Sequence, residues 1–92
     1  MTYALFPTGK CYMTPKAQEM IEQAGEEPTD YLDRHVRLEQ GELDDEDQAA
    51  NLEALRTGTR ILSAFVTSKK DRLWIITEWD RSATTILVPD EY

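Results

Sequence analysis

The chain has 92 residues, 40% of them hydrophobic and 30% charged, with 18 acidic against 10 basic side chains and a net charge of −8. A chain of this size fits one domain with a single modest core, and no apolar run approaches the ~20 residues a membrane span needs. A field of this sign repels nucleic acid, so direct DNA or RNA binding is not expected, whereas a basic protein surface would be attracted.

Cys11 is the only cysteine, which excludes an internal disulfide or a cysteine-based zinc site. The N-terminus lacks the basic flank and long apolar stretch of a signal peptide, so a cytoplasmic location is the expectation. Residues 1–14 read as short and partly extended, broken at Pro7-Thr8-Gly9, with Lys10-Cys11-Tyr12-Met13 as an edge strand. Thr14-Pro15 then has the form of a helix start, a hydroxyl cap followed by proline at the first helical position. Ala17, Met20, Ile21 and Ala24 form one apolar stripe at helical spacing, and Gly25 suits a left-handed terminator. A second helix is predicted from Thr29 as N-cap, carrying Tyr31, Leu32, His35 and Val36 and ending near Gln40-Gly41. A third begins at Asp44, with Asp45, Glu46 and Asp47 complementing the positive helix end, and stops at Gly58. Ala49, Leu52 and Leu55 are its predicted inward residues. Helices this short do not persist alone in water and need a surface to lie on.

That surface is predicted over Arg60 to Tyr92. Arg60–Thr67, Arg72–Trp79 and Thr84–Pro89 are runs rich in β-branched and aromatic residues, separated by the polar turns Lys69-Lys70-Asp71 and Asp80-Arg81-Ser82-Ala83. Both faces of these runs carry apolar side chains, so either helices cover both or one is left for a partner. The predicted fold is α+β: three short helices on a C-terminal three-stranded antiparallel meander, with an N-terminal edge strand. Charge divides with the fold. Residues 1–55 hold 13 acids and 4 bases, a balance of −9, whereas residues 56–92 hold 5 acids and 6 bases, a balance of +1.

Few residues suggest chemistry. Glu42, Asp44, Asp45, Glu46 and Asp47 form an acidic cluster, but they lack the alternate acids, central glycine and closing glutamate of a calcium loop. Helix capping on a solvated end accounts for them, and docking of a basic partner is the functional alternative. His35 is the only histidine and reads as a half-buried structural residue; Cys11 reads as a small apolar side chain. Glu78, Asp80 and Arg81, with Ser82, Thr84 and Thr85, make the densest polar group of the meander. A hydrolase or nuclease-like site is conceivable there, although Asp80-Arg81-Ser82 also makes an ordinary hairpin connection. Trp74 and Trp79 point to opposite faces, one suited to the core and the other to an interface.

Gly9-Lys10-Cys11-Tyr12-Met13-Thr14-Pro15, Leu43-Asp44-Asp45-Glu46-Asp47, Ala54-Leu55-Arg56-Thr57-Gly58, and Leu73 through Ser82 with Val88-Pro89-Asp90-Glu91-Tyr92 carry a resemblance over nearly the whole chain. They resemble a family of small bacterial proteins carried on plasmids and integrated mobile elements. The resemblance implies a mobile-DNA context and no particular catalysis, cofactor or metal. Most members of the family have a small residue where this chain has Trp79.

The expected function is a non-enzymatic protein-binding module that blocks a basic, nucleic-acid-binding protein of host defence or plasmid maintenance. Its contact residues would be Glu42, Asp44, Asp45, Glu46 and Asp47, with Trp79, Asp80 and Arg81 from the second turn. The alternatives are a small enzyme using Glu78, Asp80 and Arg81, and a self-associating protein that forms a homodimer through the second sheet face.

Overall fold

The computed structural model describes residues 4–39 and 41–92. Met1 to Tyr3 and Gln40, the expected end of the second helix, lie outside the described residues. Strand β1 (Lys10–Met13) leads into helices α1 (Pro15–Gln23), α2 (Pro28–Val36) and α3 (Asp45–Thr57), followed by strands β2 (Ile61–Val66), β3 (Arg72–Thr77) and β4 (Ala83–Leu87). A single 3-10 turn over Pro89–Glu91 follows β4.

The fold is α+β as predicted, but the sheet has four strands and is mixed, in the order β1-β4-β3-β2. β2, β3 and β4 run antiparallel in sequence order, and β1 adds to β4 in parallel with Lys10 opposite Ala83 and Met13 opposite Ile86. Joining the first strand parallel to the last requires a long crossover, and the three helices occupy it.

The α1 boundaries follow from the sequence. The Thr14 hydroxyl accepts the Ala17 amide at 3.2 Å, Pro15 occupies the first turn, and Gly25 takes the left-handed conformation at φ 69°. Ala17 and Ile21 are fully covered. α2 departs from expectation at both ends. It starts at Pro28, whose missing N–H is no loss in the first turn, with Glu27 rather than Thr29 at the cap position. It stops at Val36 because Leu38 turns left-handed at φ 57°, with its amide on the His35 carbonyl and that of Glu39 on the Arg34 carbonyl. A left-handed leucine costs roughly 1 kcal/mol. Leu38 packs against Phe6, Val36, Ala54 and Ile61, so burial offsets that cost.

α3 has the predicted ends, with the Asp44 carboxylate accepting the Asp47 amide at 2.9 Å and Gly58 left-handed at φ 75°. Its predicted inner face is wrong. Leu52 is 60% exposed and Leu55 37%, Ala49 is also exposed, and the buried residues are Asn51 and Ala54. The reason is polar. α3 lies along the outer edge of β2, and the Asn51 amide donates to the Leu62 carbonyl at 2.5 Å and accepts the Leu62 amide at 3.1 Å. One residue pair further along the same edge, the Glu42 amide donates to the Ala64 carbonyl at 2.7 Å. Gly41 pairs with Ala64 so closely that an added Cβ would lie 2.0 Å from the Ala64 carbonyl oxygen. An edge that would otherwise offer unpaired amides and carbonyls is thus closed by the chain itself.

The main core lies on one face of the sheet, where Phe65, Leu73, Ile75 and Ile86 meet Ala17, Ile21 and Tyr31 from α1 and α2. A smaller cluster of Phe6, Val36, Ala54 and Ile61 fills the α3 end. On the other face Ile76 and Leu87 are buried, while Leu62, Ala64, Val66 and Trp74 stay only half-buried. Tyr92, carried past β4 by the 3-10 turn, sets its ring 5.7 Å from that of Trp74.

Candidate functional site

The half-covered sheet face places half-buried apolar side chains beside charged ones. Its floor is Leu62, Ala64 and Trp74, with α3 as one wall. A groove of about 330 Å³ runs between Asp47 and Asn51 on that wall, with Leu43 just before it, and Trp74 and Tyr92 opposite. A second hollow of about 270 Å³ continues past Trp74 to Glu42, Val66 and Arg72. Trp74 lines both, and the two hollows together make up a trough over this face.

The acidic cluster stands at the rim of this trough. Glu42, Asp44, Asp45, Glu46 and Asp47 are all exposed, and Glu42 and Asp47 line the trough itself. The Asp44 carboxylate is engaged by its own helix, and Gln48 donates to the Leu43 carbonyl at 2.8 Å, holding the approach to α3 in place. Cations are present too. Arg60 hydrogen-bonds the Tyr92 hydroxyl and lies 5.3 Å from the centre of its ring, and Arg72 stands at the far end beside Glu42. Nothing in the sequence pattern singles out Leu62, Trp74 and Tyr92 together, because the pairing of β2 with β3 and the return of the C-terminal turn bring them side by side.

The second expected contact region is elsewhere. Trp79 is 67% exposed, and Glu78 and Asp80 are exposed on the β3–β4 turn. Arg81 is half-buried and faces inward, its guanidinium donating to the carbonyls of Thr59 at 2.6 Å, Glu78 at 3.1 Å and Ala54 at 2.9 Å. It ties the C-terminal end of α3 to the turn, where a cation also complements the negative helix end. α3 has 13 residues, a span of about 20 Å at 1.5 Å per residue. The acidic cluster and the Trp79–Arg81 turn therefore lie at opposite ends of that helix, and the structure does not bring them into one site. The Asp80 carboxylate is held below its usual range by the Ser82 hydroxyl and amide. As for the hydrolase alternative, Glu78, Asp80 and Arg81 line neither hollow of the trough.

His35 is fully buried rather than half-buried. Its Nδ1 lies 2.7 Å from the Ser63 hydroxyl and its Nε2 2.8 Å from that of Thr77. Thr77 is 2.7 Å from Thr84, whose hydroxyl donates to the Thr8 carbonyl at 2.8 Å. A carbonyl can only accept, so the direction of the whole chain is fixed. Thr84 donates to Thr8, Thr77 to Thr84, the imidazole Nε2–H to Thr77, and Ser63 to Nδ1. The ring is neutral, and burial pushes its pKa down from 6.5 to about 4. Ser63 is as inaccessible as His35, so the pair offers no surface to a substrate. Sequence gave no sign of this chain, since its members come from α2, three strands and the N-terminal segment.

Cys11 is exposed on β1, and among the described residues no three His, Cys, Asp or Glu side chains converge as a metal ion would require. No described helix is long and apolar enough to cross a membrane. Comparison of the chain with protein-family models, curated proteins and solved structures finds no match.

Proposed function

We propose that the chain is an acidic protein-binding module whose contact surface is the trough over the second sheet face and the acidic rim beside it. The observation that carries this reading is the adjacency of Leu62, Ala64 and Trp74 to Glu42 and Asp47. Acidic rims accelerate encounter with a basic partner, and a partly desolvated aromatic floor supplies lasting affinity. The partner would be a protein with a basic, nucleic-acid-binding surface, and the chain would act by occupying that surface. A mobile-element origin is what the family resemblance implies, and a role against host defence is proposed by analogy with other small acidic proteins of such elements. Trp79 and Asp80, at the far end of α3, belong to this reading only if the partner is long enough to reach them. Arg81 is left out of the contact set because its guanidinium is spent within the fold.

The test begins with affinity capture from the native host and identification of the bound protein, followed by titration calorimetry over a salt series. Replacing Glu42, Asp44, Asp45 and Asp47 by glutamine or asparagine keeps the helix cap, since asparagine caps as well as aspartate. The expected result is at least about tenfold weaker binding with a flatter salt dependence. The captured protein should also lose its nucleic-acid binding when the wild-type chain is added. Unchanged affinity and salt slope in the quadruple variant would refute the electrostatic reading.

A further inference from the structure

We propose that His35 is an acid-operated latch, which holds the segment from Leu5 to Gly9 against the sheet and releases it on taking up one proton. The hydrogen-bonded chain that begins at Ser63 and passes through His35, Thr77 and Thr84 ends on that segment, at the carbonyl of Thr8. The same segment closes the imidazole from outside, with the Phe6 ring edge-on to it at 5.3 Å. The surroundings offer a cation hydroxyl oxygens but no carboxylate. From β2, β3 and β4 the facing groups are the hydroxyls of Ser63, Thr77 and Thr84. From the N-terminal segment it is the Phe6 ring, behind which stands another cation, the Arg81 guanidinium, 5.8 Å from that ring. From α2 itself, Arg34 is turned onto the Phe65 ring at 4.4 Å, and Tyr31 is bonded to Glu26 at 2.5 Å. From α3 the packed residue of this cluster is Ala54. Both ring nitrogens are occupied by hydroxyls, so no carboxylate holds either of them.

Protonation makes Nδ1 a donor facing a hydroxyl that was itself donating. It also places a charge in a dry site, where it is costly unless water or a partner reaches it. Of the walls around the ring, β2, β3 and β4 are held by continuous ladders. The segment is held by the Leu5 amide on the Val36 carbonyl at 2.8 Å, by the Thr8 carbonyl at the end of the chain, by Phe6, and at its far end by the close approach of Gly9 to Ser82 and weak thiol contacts from Cys11. It is the wall with least to lose. When it lifts, water reaches the imidazole, and the apolar group of Val36, Ala54 and Ile61 is uncovered. The ring titrates near 6.5 when open and near 4 when closed. Each pH unit between these limits therefore favours opening about tenfold, about 300-fold in all.

Amide hydrogen exchange by NMR, corrected for the intrinsic pH dependence, tests this in the full chain. Protection of the Leu5 amide should fall about 100-fold between pH 7 and pH 4 while the near-ultraviolet signal of the tryptophans stays native. In His35→Gln, whose amide can donate to Thr77 and accept from Ser63 without titrating, it should stay level. A wild-type profile that does not change with pH, or one that falls equally in H35Q, would overturn the proposal. If H35Q does not fold, the wild-type profile decides alone: it must bend near pH 6.5 and flatten near 4, and a profile without a bend sinks the latch.

Discussion

Replacing Arg81 by alanine separates a structural role from a binding one. The guanidinium makes three hydrogen bonds to backbone carbonyls and lies beside the Phe6 ring. A hydrogen bond with one charged partner contributes about 1.5–3 kcal/mol. Two features reduce the sum. Arg81 is only half-buried, so water can replace part of what is lost, and the Ala54 carbonyl keeps the Gly58 amide at 2.9 Å as a second partner. Alanine should therefore cost about 3 kcal/mol rather than the sum of three full bonds. For a chain of this size each kcal/mol shifts Tm by roughly 4–8 °C, so a fall of about 12–24 °C is expected by differential scanning calorimetry. Lysine, a point charge without the planar fork, should recover less than half of the loss. Binding to a partner by the R81A protein, measured well below its Tm, should match wild type. A Tm within about 3 °C of wild type, less than 1 kcal/mol by the same scaling, would refute the assignment.

Asn51→Asp keeps the shape of the side chain but turns a donor into a second acceptor opposite the Leu62 carbonyl; urea unfolding should show a loss of about 2 kcal/mol, with Asn51→Ala losing less. Gly41→Ala should be more damaging than its exposure suggests, because both the left-handed backbone and the 2.0 Å approach to the Ala64 carbonyl oppose a Cβ; circular dichroism melts would register it. Stability should also depend on pH through His35. Its folded pKa is depressed below 6.5, so the unfolded chain takes up the proton first. The contribution is present above pH 6.5 and is lost as pH falls toward 4, by about 3 kcal/mol; urea midpoints in wild type should follow this slope and those of H35Q should not. Trp79→Ser, at a side chain 67% exposed, should leave Tm within about 2 °C of wild type.

Local signals made some elements legible from sequence. Thr14-Pro15 and Gly25 bracket α1, and the β-branched runs mark β2 to β4, because caps, turns and alternation act between near neighbours. The inner face of α3 was not legible. Leu52 and Leu55 obey a helical spacing, yet the neighbour is a strand edge with unpaired backbone groups, and Asn51 serves it better than leucine can. The end of α2 was hidden for a related reason, since a left-handed Leu38 is worthwhile only once Phe6 and Ile61 are beside it. The acidic rim was visible as composition, whereas its floor of Leu62 and Trp74 required the register of β2 with β3. Arg81 looked like a surface charge until the end of α3 arrived next to it.

The parallel pairing of β1 with β4 has a consequence for how the chain is made. Lys10 meets Ala83, so β1 waits for a strand 73 residues further along the chain (83 − 10 = 73). Until β4 emerges, α1 and α2 have only the β2–β3 pair to lie on and lack Ile86, and helices of nine residues do not hold themselves together. Contacts this distant in sequence are slow to close. Docking of α1 and α2 on the complete sheet therefore comes late, once β4 has joined β3.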